Sequence, residues 1–243
     1  MKQPRFAAGA YYHVYNRGVD KREIFLDEED HLRFIHDLFE FNDADAVITF
    51  PQRISPRRKT LGGETSKSYR GPRPGLKKRK LLVDIIAWAL MPNHYHLLLR
   101  QRIDGGTSLY MKKIGTGYTL YFNQKHERNG VLFQGTFRAK PITEDRYLRH
   151  LVSYIHANPR ELSVQRSGKD SGGPLSALGR YRWSSYLDYV GIANVPSILN
   201  QDLIQSLGLP RGEDQRSLMR EWIARPKTGD ERFTELLFDE SLR

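Results

Sequence analysis

The 243-residue chain contains no cysteine, which excludes disulfides, thiolate metal sites and a cysteine nucleophile. Covalent or metal chemistry must therefore use side chains such as His, Asp, Glu, Asn and Tyr. Long apolar runs are also lacking, because no segment approaches the roughly 18 uninterrupted apolar residues of a membrane span, and residues 1–10 lack the apolar core of a signal peptide. These absences predict a cytoplasmic protein that does not cross a membrane.

Acidic residues are in the minority, with 28 Asp and Glu against 39 Lys and Arg, so the formal net charge is +11. A surplus of this size attracts polyanions, and nucleic acid is the leading partner class. Most of the surplus lies in residues 51–80, which contain eleven Lys or Arg residues and one acid, Glu64. This segment has too few apolar residues to offset its ordering entropy, so it is predicted to be a flexible basic insertion. It is interpreted either as a solvated linker or as an arm that binds DNA phosphates.

The length fits one principal domain, predicted at residues 1–160, followed by a connector and a small helical C-terminal extension at 161–243. Apolar periodicity and turn signals predict strands at 10–15, 81–90 and 94–100, and helices at about 27–42, 109–123 and 143–158. The turn Met91-Pro92-Asn93 joins two strands into an antiparallel pair. The pattern therefore favours an α+β fold, a ferredoxin-like antiparallel sheet with helices on one face, over a doubly wound sheet.

Two histidines lie two residues apart on the third predicted strand. Because alternate residues of a strand point to one face, His94 and His96 leave the sheet together, with backbones roughly 6–7 Å apart. They are interpreted either as hydrogen-bonded core residues or as ligands of one metal ion. The metal interpretation is favoured, since one cation satisfies both imidazoles whereas each buried histidine otherwise needs its own polar partner.

The helix at 143–158 carries a second group of polar side chains. Tyr154 and Asn158 are four residues apart and therefore lie on neighbouring turns of one helix face. A phenol and a carboxamide beside two imidazoles would form a reaction centre. The structural alternatives are a boundary aromatic for Tyr154 and a helix C-cap before Pro159 for Asn158.

Three short motifs follow one another along the chain: Met91-Pro92-Asn93-His94-Tyr95-His96, Tyr154-Ile155-His156-Ala157-Asn158-Pro159 and Trp183-Ser184-Ser185-Tyr186. Together they resemble the REP-associated tyrosine transposases, relatives of the IS200-like single-tyrosine transposases in the HUH superfamily. Asn16-Arg17-Gly18 and the segment 133–138 also fit, and the resemblance spans about residues 11–189. A His-hydrophobic-His triplet alone is a weak signal, whereas the ordered set is specific.

The resemblance implies an HUH endonuclease core in which His94, His96 and Asn158 bind Mg²⁺ or Mn²⁺ and Tyr154 is the catalytic nucleophile. It implies an enzyme that nicks and rejoins single-stranded DNA at hairpin-forming repeats through a 5′-phosphotyrosine, as a monomer or homodimer. The phosphotyrosine bond stores the cleaved ester, so no nucleotide cofactor is needed. The absence of a Walker-type phosphate loop agrees with this.

The remaining polar residues are given lesser roles. Arg17, Arg138 and Lys140 are candidate DNA phosphate contacts. Tyr118 and Tyr121 are interpreted as packing or DNA contacts, since neither has an amide or acid four residues later. Trp183-Ser184-Ser185-Tyr186 is interpreted as a structural anchor, and His150 and His156 as surface or packing residues.

Two other functions remain open at this stage. One is a catalytically degenerate nucleic-acid-binding protein of the same fold, which would need neither metal nor tyrosine. The other is a metal-dependent hydrolase of a small phosphate ester, in which water attacks and Tyr154 only orients the substrate. The strongly basic 51–80 segment argues against a small substrate.

Overall fold

The computed structural model describes residues 3–45, 79–159 and 173–224. Its centre is a four-stranded antiparallel sheet in the order β2-β3-β1-β4. The strands are β1 (Tyr11–Arg17), β2 (Val83–Met91), β3 (His94–Gln101) and β4 (Arg138–Ile142). The helices of this core are α1 (Glu28–Glu40), α2 (Gly106–Lys125) and α3 (Asp145–Ala157). The chain order β1-α1-β2-β3-α2-β4 with this strand order confirms the predicted ferredoxin-like α+β fold.

Much of the predicted basic insertion falls outside the described residues, because only Arg79 and Lys80 of the 51–80 segment are included. Of the predicted Gly- and Ser-rich connector, residues 163–172 are likewise outside them. Among the described helices, none combines the length and the apolar character that a bilayer span requires.

Helices α1 and α2 cover one face of the sheet. Helix α1 begins where the Asp27 side chain accepts a hydrogen bond from the backbone N–H of Asp30, which is the N-cap interaction expected of aspartate. Phe34 of α1 packs against Tyr95 of β3, with ring centroids 5.0 Å apart, and against Tyr118 of α2 at the same distance. These aromatic contacts join both helices to the sheet face that carries Tyr95.

Helix α3 packs on the opposite face and so adds a second covered face to the predicted arrangement. Its apolar stripe, which the 3.6-residue period predicts, is fully buried and consists of Leu148, Leu151, Val152 and Ile155. The physical reason for the second layer is the sheet itself: β2 is buried along its whole length, so both of its faces need an apolar partner.

The described part of the C-terminal extension contains the α-helices α4 (Gly173–Arg180), α5 (Tyr186–Tyr189), α6 (Gln201–Ser206) and α7 (Gly212–Ala224). It contacts strand β2 directly. The backbone N–H of Asn200 donates to the carbonyl of Ile85, and its side chain donates to Asp84 at 2.7 Å. The Tyr189 hydroxyl donates to the carbonyl of Ile86. These bonds fasten the extension to the edge of the sheet.

The segment Trp183-Ser184-Ser185-Tyr186 lies along the same edge strand, as its structural interpretation predicts. The Trp183 carbonyl accepts the N–H of Leu90, and the N–H of Ser185 donates to the carbonyl of Trp88. The Ser185 hydroxyl also accepts the Trp88 N–H at 3.0 Å and lies 2.9 Å from Nε2 of the buried His156. One serine therefore satisfies polar groups of both β2 and α3.

This arrangement predicts that Ser185→Ala lowers the free energy of unfolding by about 1–3 kcal/mol, because it leaves buried polar groups without a partner. Urea denaturation measures the change. Ser184→Ala is the matched control. Ser184 is equally buried, but within the described residues its hydroxyl accepts only a long 3.4 Å bond from Tyr186 N. Equal destabilisation by the two substitutions would contradict this role.

Candidate active site

The face of the sheet beneath α3 carries the polar residues of the site. In the antiparallel pairing of β1 with β3, Arg17 lies opposite His94, Tyr15 opposite His96, and His13 opposite Leu98. Directly opposed residues share a face, so one face presents the side chains of all three β1 residues beside the two histidines. The opposite face presents Tyr95 and Leu97, as the alternation of the sequence predicts.

Helix α3 brings Tyr154 to this face. The Tyr154 ring meets the His96 ring edge-on, with centroids 5.5 Å apart and an interplanar angle of 81°. It also meets the ring of His13, at 6.1 Å. The His94 and His96 rings are themselves 5.0 Å apart. The phenol predicted as the nucleophile therefore shares one pocket with both predicted metal-binding imidazoles.

Asn158 reaches the same pocket from the end of α3. It is the C-cap residue, and its side-chain NH₂ donates to the Tyr154 carbonyl at 2.9 Å. Its side chain also lies beside His94. Because the amide nitrogen is directed at a carbonyl, which only accepts hydrogen bonds, the amide oxygen is the atom left available to ligate a cation. The structure therefore shows the C-cap role of Asn158 and places its side chain near His94, while its role as a metal ligand stays a prediction.

The hydrogen bonds of Asn93 define which nitrogen of His94 carries its proton. The Asn93 NH₂ donates to the backbone carbonyl of Lys21, so its oxygen is the atom that lies 2.6 Å from Nδ1 of His94. An amide oxygen can only accept, which means that His94 Nδ1 carries the hydrogen and Nε2 carries the lone pair. His94 is thus held in the tautomer that binds a metal through Nε2.

The histidines of the site are buried in their neutral forms. Burial lowers the pKa of His13 to about 3, with a further contribution from the positive charge of Lys140. Burial, aided by the charge of Arg17, lowers the pKa of His94 to about 4. The pKa of His96 is lowered well below its usual value, chiefly by burial. Neutral imidazole is the form that binds metals.

The lowered pKa values predict that acid destabilises the protein. An unfolded histidine takes up a proton near pH 6.5, whereas His13, His94 and His156, whose pKa values fall to about 3, 4 and 3, stay neutral in the fold. Between pH 6.5 and about 4 the unfolded chain therefore binds more protons. Each such histidine lowers the free energy of unfolding by about 1.4 kcal/mol per pH unit as pH falls.

His156→Gln tests this pH dependence, because glutamine can still hydrogen-bond to the Ser185 hydroxyl without titrating. The free energy of unfolding is measured at several pH values in the presence of a chelator. Between pH 6.5 and 4, its slope against pH should be smaller in the variant by the amount that corresponds to about one bound proton. Parallel slopes for the variant and the unaltered protein would contradict the buried neutral state of His156.

The donor atoms in the pocket fit a divalent cation. The buried Nε2 of His96 has no hydrogen-bond partner in the described ranges of the chain, and a lone pair there would otherwise be buried at a cost. His94 contributes an Nε2 lone pair, and Asn158 contributes an amide oxygen. Imidazole nitrogen and amide oxygen are both ligand types for divalent first-row cations. The set carries no negative charge of its own.

A second group of potential ligands lies elsewhere, where Asp27, Asp30 and His126 meet between α1 and α2. The ammonium group of Lys125 already lies 2.6 Å from an oxygen of Asp27 and 2.9 Å from one of Asp30. Asp27 also caps α1. These contacts are those of a structural ion-pair cluster that joins two helices.

The residues predicted to contact DNA lie on the face that carries the histidines. Arg138 and Lys140 of β4 are opposite Tyr15 and His13, and Arg17 is opposite His94. The motif Asn16-Arg17-Gly18 contacts the segment 133–138, because the N–H of Gln134 donates to the Arg17 carbonyl and the Asn16 side chain donates to the Gly135 carbonyl. Two segments that are distant in the sequence thus meet on the histidine face.

The sequence interpretation missed His13 and the role of Asn93. The signal for His13 was present, since β1 alternates and His13, Tyr15 and Arg17 must share one face. The lesser candidates are placed as predicted: the ring of His150 is 5.8 Å from Trp222 of α7, and His156 is buried beneath Ser185. Tyr118 packs among aromatic residues between α1, α2 and the other sheet face.

Comparison with known proteins extends these observations. No curated protein matches the sequence. The chain resembles a solved structure of the REP-associated tyrosine transposase bound to a REP hairpin, with 15% identity, a TM-score of 0.48, and coverage of 84% of this chain and 92% of that one. It resembles tRNA(His) guanylyltransferase from Saccharomyces cerevisiae with 9% identity, a TM-score of 0.36, and coverage of 96% and 86%. These similarities are too weak to support an argument about function.

The family comparison is more informative. Residues 52–158 match the family model described as "Transposase IS200 like". The matched region includes His94, His96, Tyr154 and Asn158, which are the four residues that meet in the pocket. This stretch, which is under half of the chain, is therefore similar to the IS200-like transposase family.

Proposed function

We propose that the protein nicks and rejoins single-stranded DNA beside hairpin-forming repeats, with Tyr154 as the nucleophile and a divalent cation, Mg²⁺ or Mn²⁺, bound by His94, His96 and Asn158. The observation that carries this proposal is the edge-on contact of Tyr154 with His96 in the pocket where His94 contacts Asn158. A phenol beside neutral candidate metal ligands in one partly buried site supports tyrosine-mediated phosphoryl transfer.

In the proposed cleavage step, the Tyr154 oxygen attacks the scissile phosphorus and loses its proton to solvent or to a base. The bond from phosphorus to the 3′-oxygen breaks, and that oxygen gains a proton to become a 3′-hydroxyl. The product is a 5′-phosphotyrosine. Joining is the reverse step, in which the 3′-hydroxyl of a second strand attacks the same phosphorus and releases the phenol, so no nucleotide cofactor is consumed.

The bound cation would supply Lewis-acid chemistry, polarising the scissile phosphate and offsetting charge on its oxygens. The residues of the chain have separate tasks. Asn93 holds His94 with its Nε2 lone pair exposed to the pocket, and the end of α3 holds Asn158 beside it. Because none of the three proposed ligands is anionic, we expect the DNA phosphate to supply the negative charge that favours cation binding.

Covalent trapping tests the proposal. The protein is incubated with a hairpin oligonucleotide that has a single-stranded flank, labelled on either side of the cut, with Mn²⁺ or with a chelator. The expected result is an adduct that survives denaturation, forms only with Mn²⁺ and contains the 3′-side fragment, whose 5′-phosphate is bonded to protein. A protein that only binds nucleic acid gives no adduct, and a hydrolase gives free 5′-phosphate instead; either result would overturn the proposal.

The basic residues of β4 are proposed to bind the phosphates of the single strand next to the pocket. Arg138→Ala should weaken binding of a single-stranded oligonucleotide and make the dependence of log K on log salt shallower by about 0.7, the value for one lost phosphate contact. Fluorescence anisotropy at several salt concentrations measures the slope. Arg220→Ala is the control, because the Arg220 guanidinium on α7 pairs with Glu213. This substitution should leave the salt dependence unchanged. Equal slopes for Arg138→Ala and the unaltered protein would contradict this contact.

A further inference from the structure

His13 is the one histidine of the pocket that the proposed function does not use. It lies on β1, is buried, and its Nε2 is 2.9 Å from Nδ1 of His96. The planes of the two rings are inclined by only 24°, with centroids 5.1 Å apart, which suits a hydrogen bond between their nitrogens. His13 therefore contacts the nitrogen of His96 that is opposite the proposed metal-binding atom.

The direction of this hydrogen bond determines whether His96 can bind a metal. A neutral imidazole carries one hydrogen, on either nitrogen. If His96 Nδ1 donates to His13, the Nε2 of His96 carries a lone pair and can be a ligand. If His13 donates instead, the hydrogen of His96 is on Nε2, and metal binding there is blocked.

His94 also has a hydrogen-bond partner at its Nδ1, and in that case the direction of the hydrogen bond is unambiguous. Asn93 accepts from Nδ1 of His94 and so fixes its hydrogen away from Nε2. His13 occupies the equivalent position beside His96. The Nδ1 of His13 is buried and has no hydrogen-bond partner in the described part of the chain. Burying such an atom is costly, and an apolar residue at this position would avoid the cost. The presence of a histidine here therefore calls for an explanation.

We propose that His13 is a positioning residue, which accepts the Nδ1 hydrogen of His96 and so holds His96 with its Nε2 lone pair directed into the pocket. This inference rests on the proposed metal site. In this role His13 contacts neither the metal nor DNA. His13 affects metal binding only by fixing the orientation and tautomer of His96.

The tautomer can be read directly in the metal-free protein. Long-range ¹H–¹⁵N correlation spectra of ¹⁵N-histidine-labelled protein at pH 7.5 distinguish a hydrogen on Nδ1 from one on Nε2. We expect His96 to carry its hydrogen on Nδ1, and to lose that preference in His13→Leu. A hydrogen on Nε2 in the unaltered protein, or an unchanged Nδ1 tautomer in His13→Leu, would overturn the inference.

Metal affinity gives the second readout. Electron paramagnetic resonance titration of Mn²⁺, with a non-cleavable oligonucleotide present, should show binding about 10–100-fold weaker in His13→Leu, which is typical of losing a residue that orients a ligand. His13→Gln should restore affinity to within a few-fold, because its amide oxygen can accept the same hydrogen. His36→Leu, at a partly exposed position of α1 outside the pocket, should bind as the unaltered protein does.

The outcomes separate this inference from the proposed function. If Mn²⁺ binding does not depend on His96, as tested with His96→Ala, the proposed metal site and the role of His13 both fail. If binding depends on His96 but His13→Leu binds Mn²⁺ normally, only the role of His13 fails. Should His13→Leu not fold, as judged by circular dichroism, the tautomer of His96 in the unaltered protein and the affinity of His13→Gln decide the question.

Discussion

The Tyr154→Phe protein is expected to form no covalent adduct with single-stranded DNA and to nick it at least about 10³-fold more slowly than the unaltered protein. The substitution removes only the hydroxyl, which is the proposed nucleophile, so the bond that stores the cleaved ester cannot form. The phenyl ring retains the edge-on packing against His96, and the fold should be preserved. Denaturing gels measure both the adduct and the nicked strand.

Tyr121→Phe is the matched control for this experiment. Tyr121 lies on α2, where its hydroxyl donates to Asp30, and it has Lys125 rather than an amide four residues later. It should nick DNA and form the adduct at the unaltered rate. Adduct formation by Tyr154→Phe, or its loss in Tyr121→Phe alone, would assign the nucleophile to a different tyrosine.

Loss of a proposed metal ligand is expected to have the second largest effect. His94→Ala should reduce Mn²⁺-dependent nicking at least about 100-fold, because it removes a ligand outright, and loss of a group that merely orients a ligand already costs about 10–100-fold. Binding of the oligonucleotide without metal should change little, since His94 is proposed to bind the cation and not the strand. Nicking rates over a Mn²⁺ series, together with metal-free anisotropy, separate these two quantities.

His36→Ala is the control for the histidine substitution, since His36 is partly exposed on α1 and its side chain lies near Asp37 and Glu40. It should leave the Mn²⁺ dependence intact. If His94→Ala nicks DNA at the unaltered rate and the same Mn²⁺ concentration, His94 is not a ligand, and the proposed metal site is wrong.

The sequence could predict the elements that are strongly patterned. The apolar stripe of α3, the antiparallel pair of β2 and β3 and the opposite faces of His94 and Tyr95 all follow from periods of 3.6 and 2 residues. The ferredoxin-like sheet followed from the joined strand pair and was confirmed. These features depend on local side-chain alternation, which a single sequence displays directly.

Features that depend on pairing between distant segments were less predictable. The strand β1 continues to Arg17, beyond the predicted end at Tyr15, because its last residues pair with Tyr95 and His94 of β3. That extension puts Arg17 beside the pocket. The contact of His13 with His96 joins residues 83 positions apart, and only the register of β1 against β3 brings them together.

The position of α3 also required the three-dimensional arrangement. Its sequence predicts an apolar stripe but does not indicate which face of the sheet the stripe covers. The packing of α3 on the histidine face brings Tyr154 to His96, and the packing of α1 and α2 on the other face keeps Tyr118 away from the histidine face. The choice between candidate tyrosines is therefore decided by helix placement.

The most direct test of the account is the location of bound Mn²⁺ by anomalous diffraction, in crystals soaked with the ion in the presence of a non-cleavable oligonucleotide. The account predicts one strong peak within ligand distance of His94 Nε2, His96 Nε2 and the Asn158 amide oxygen, on the side of the pocket that Tyr154 lines. A peak confined to the cluster of Asp27, Asp30 and His126, with none between the two imidazoles, would contradict it.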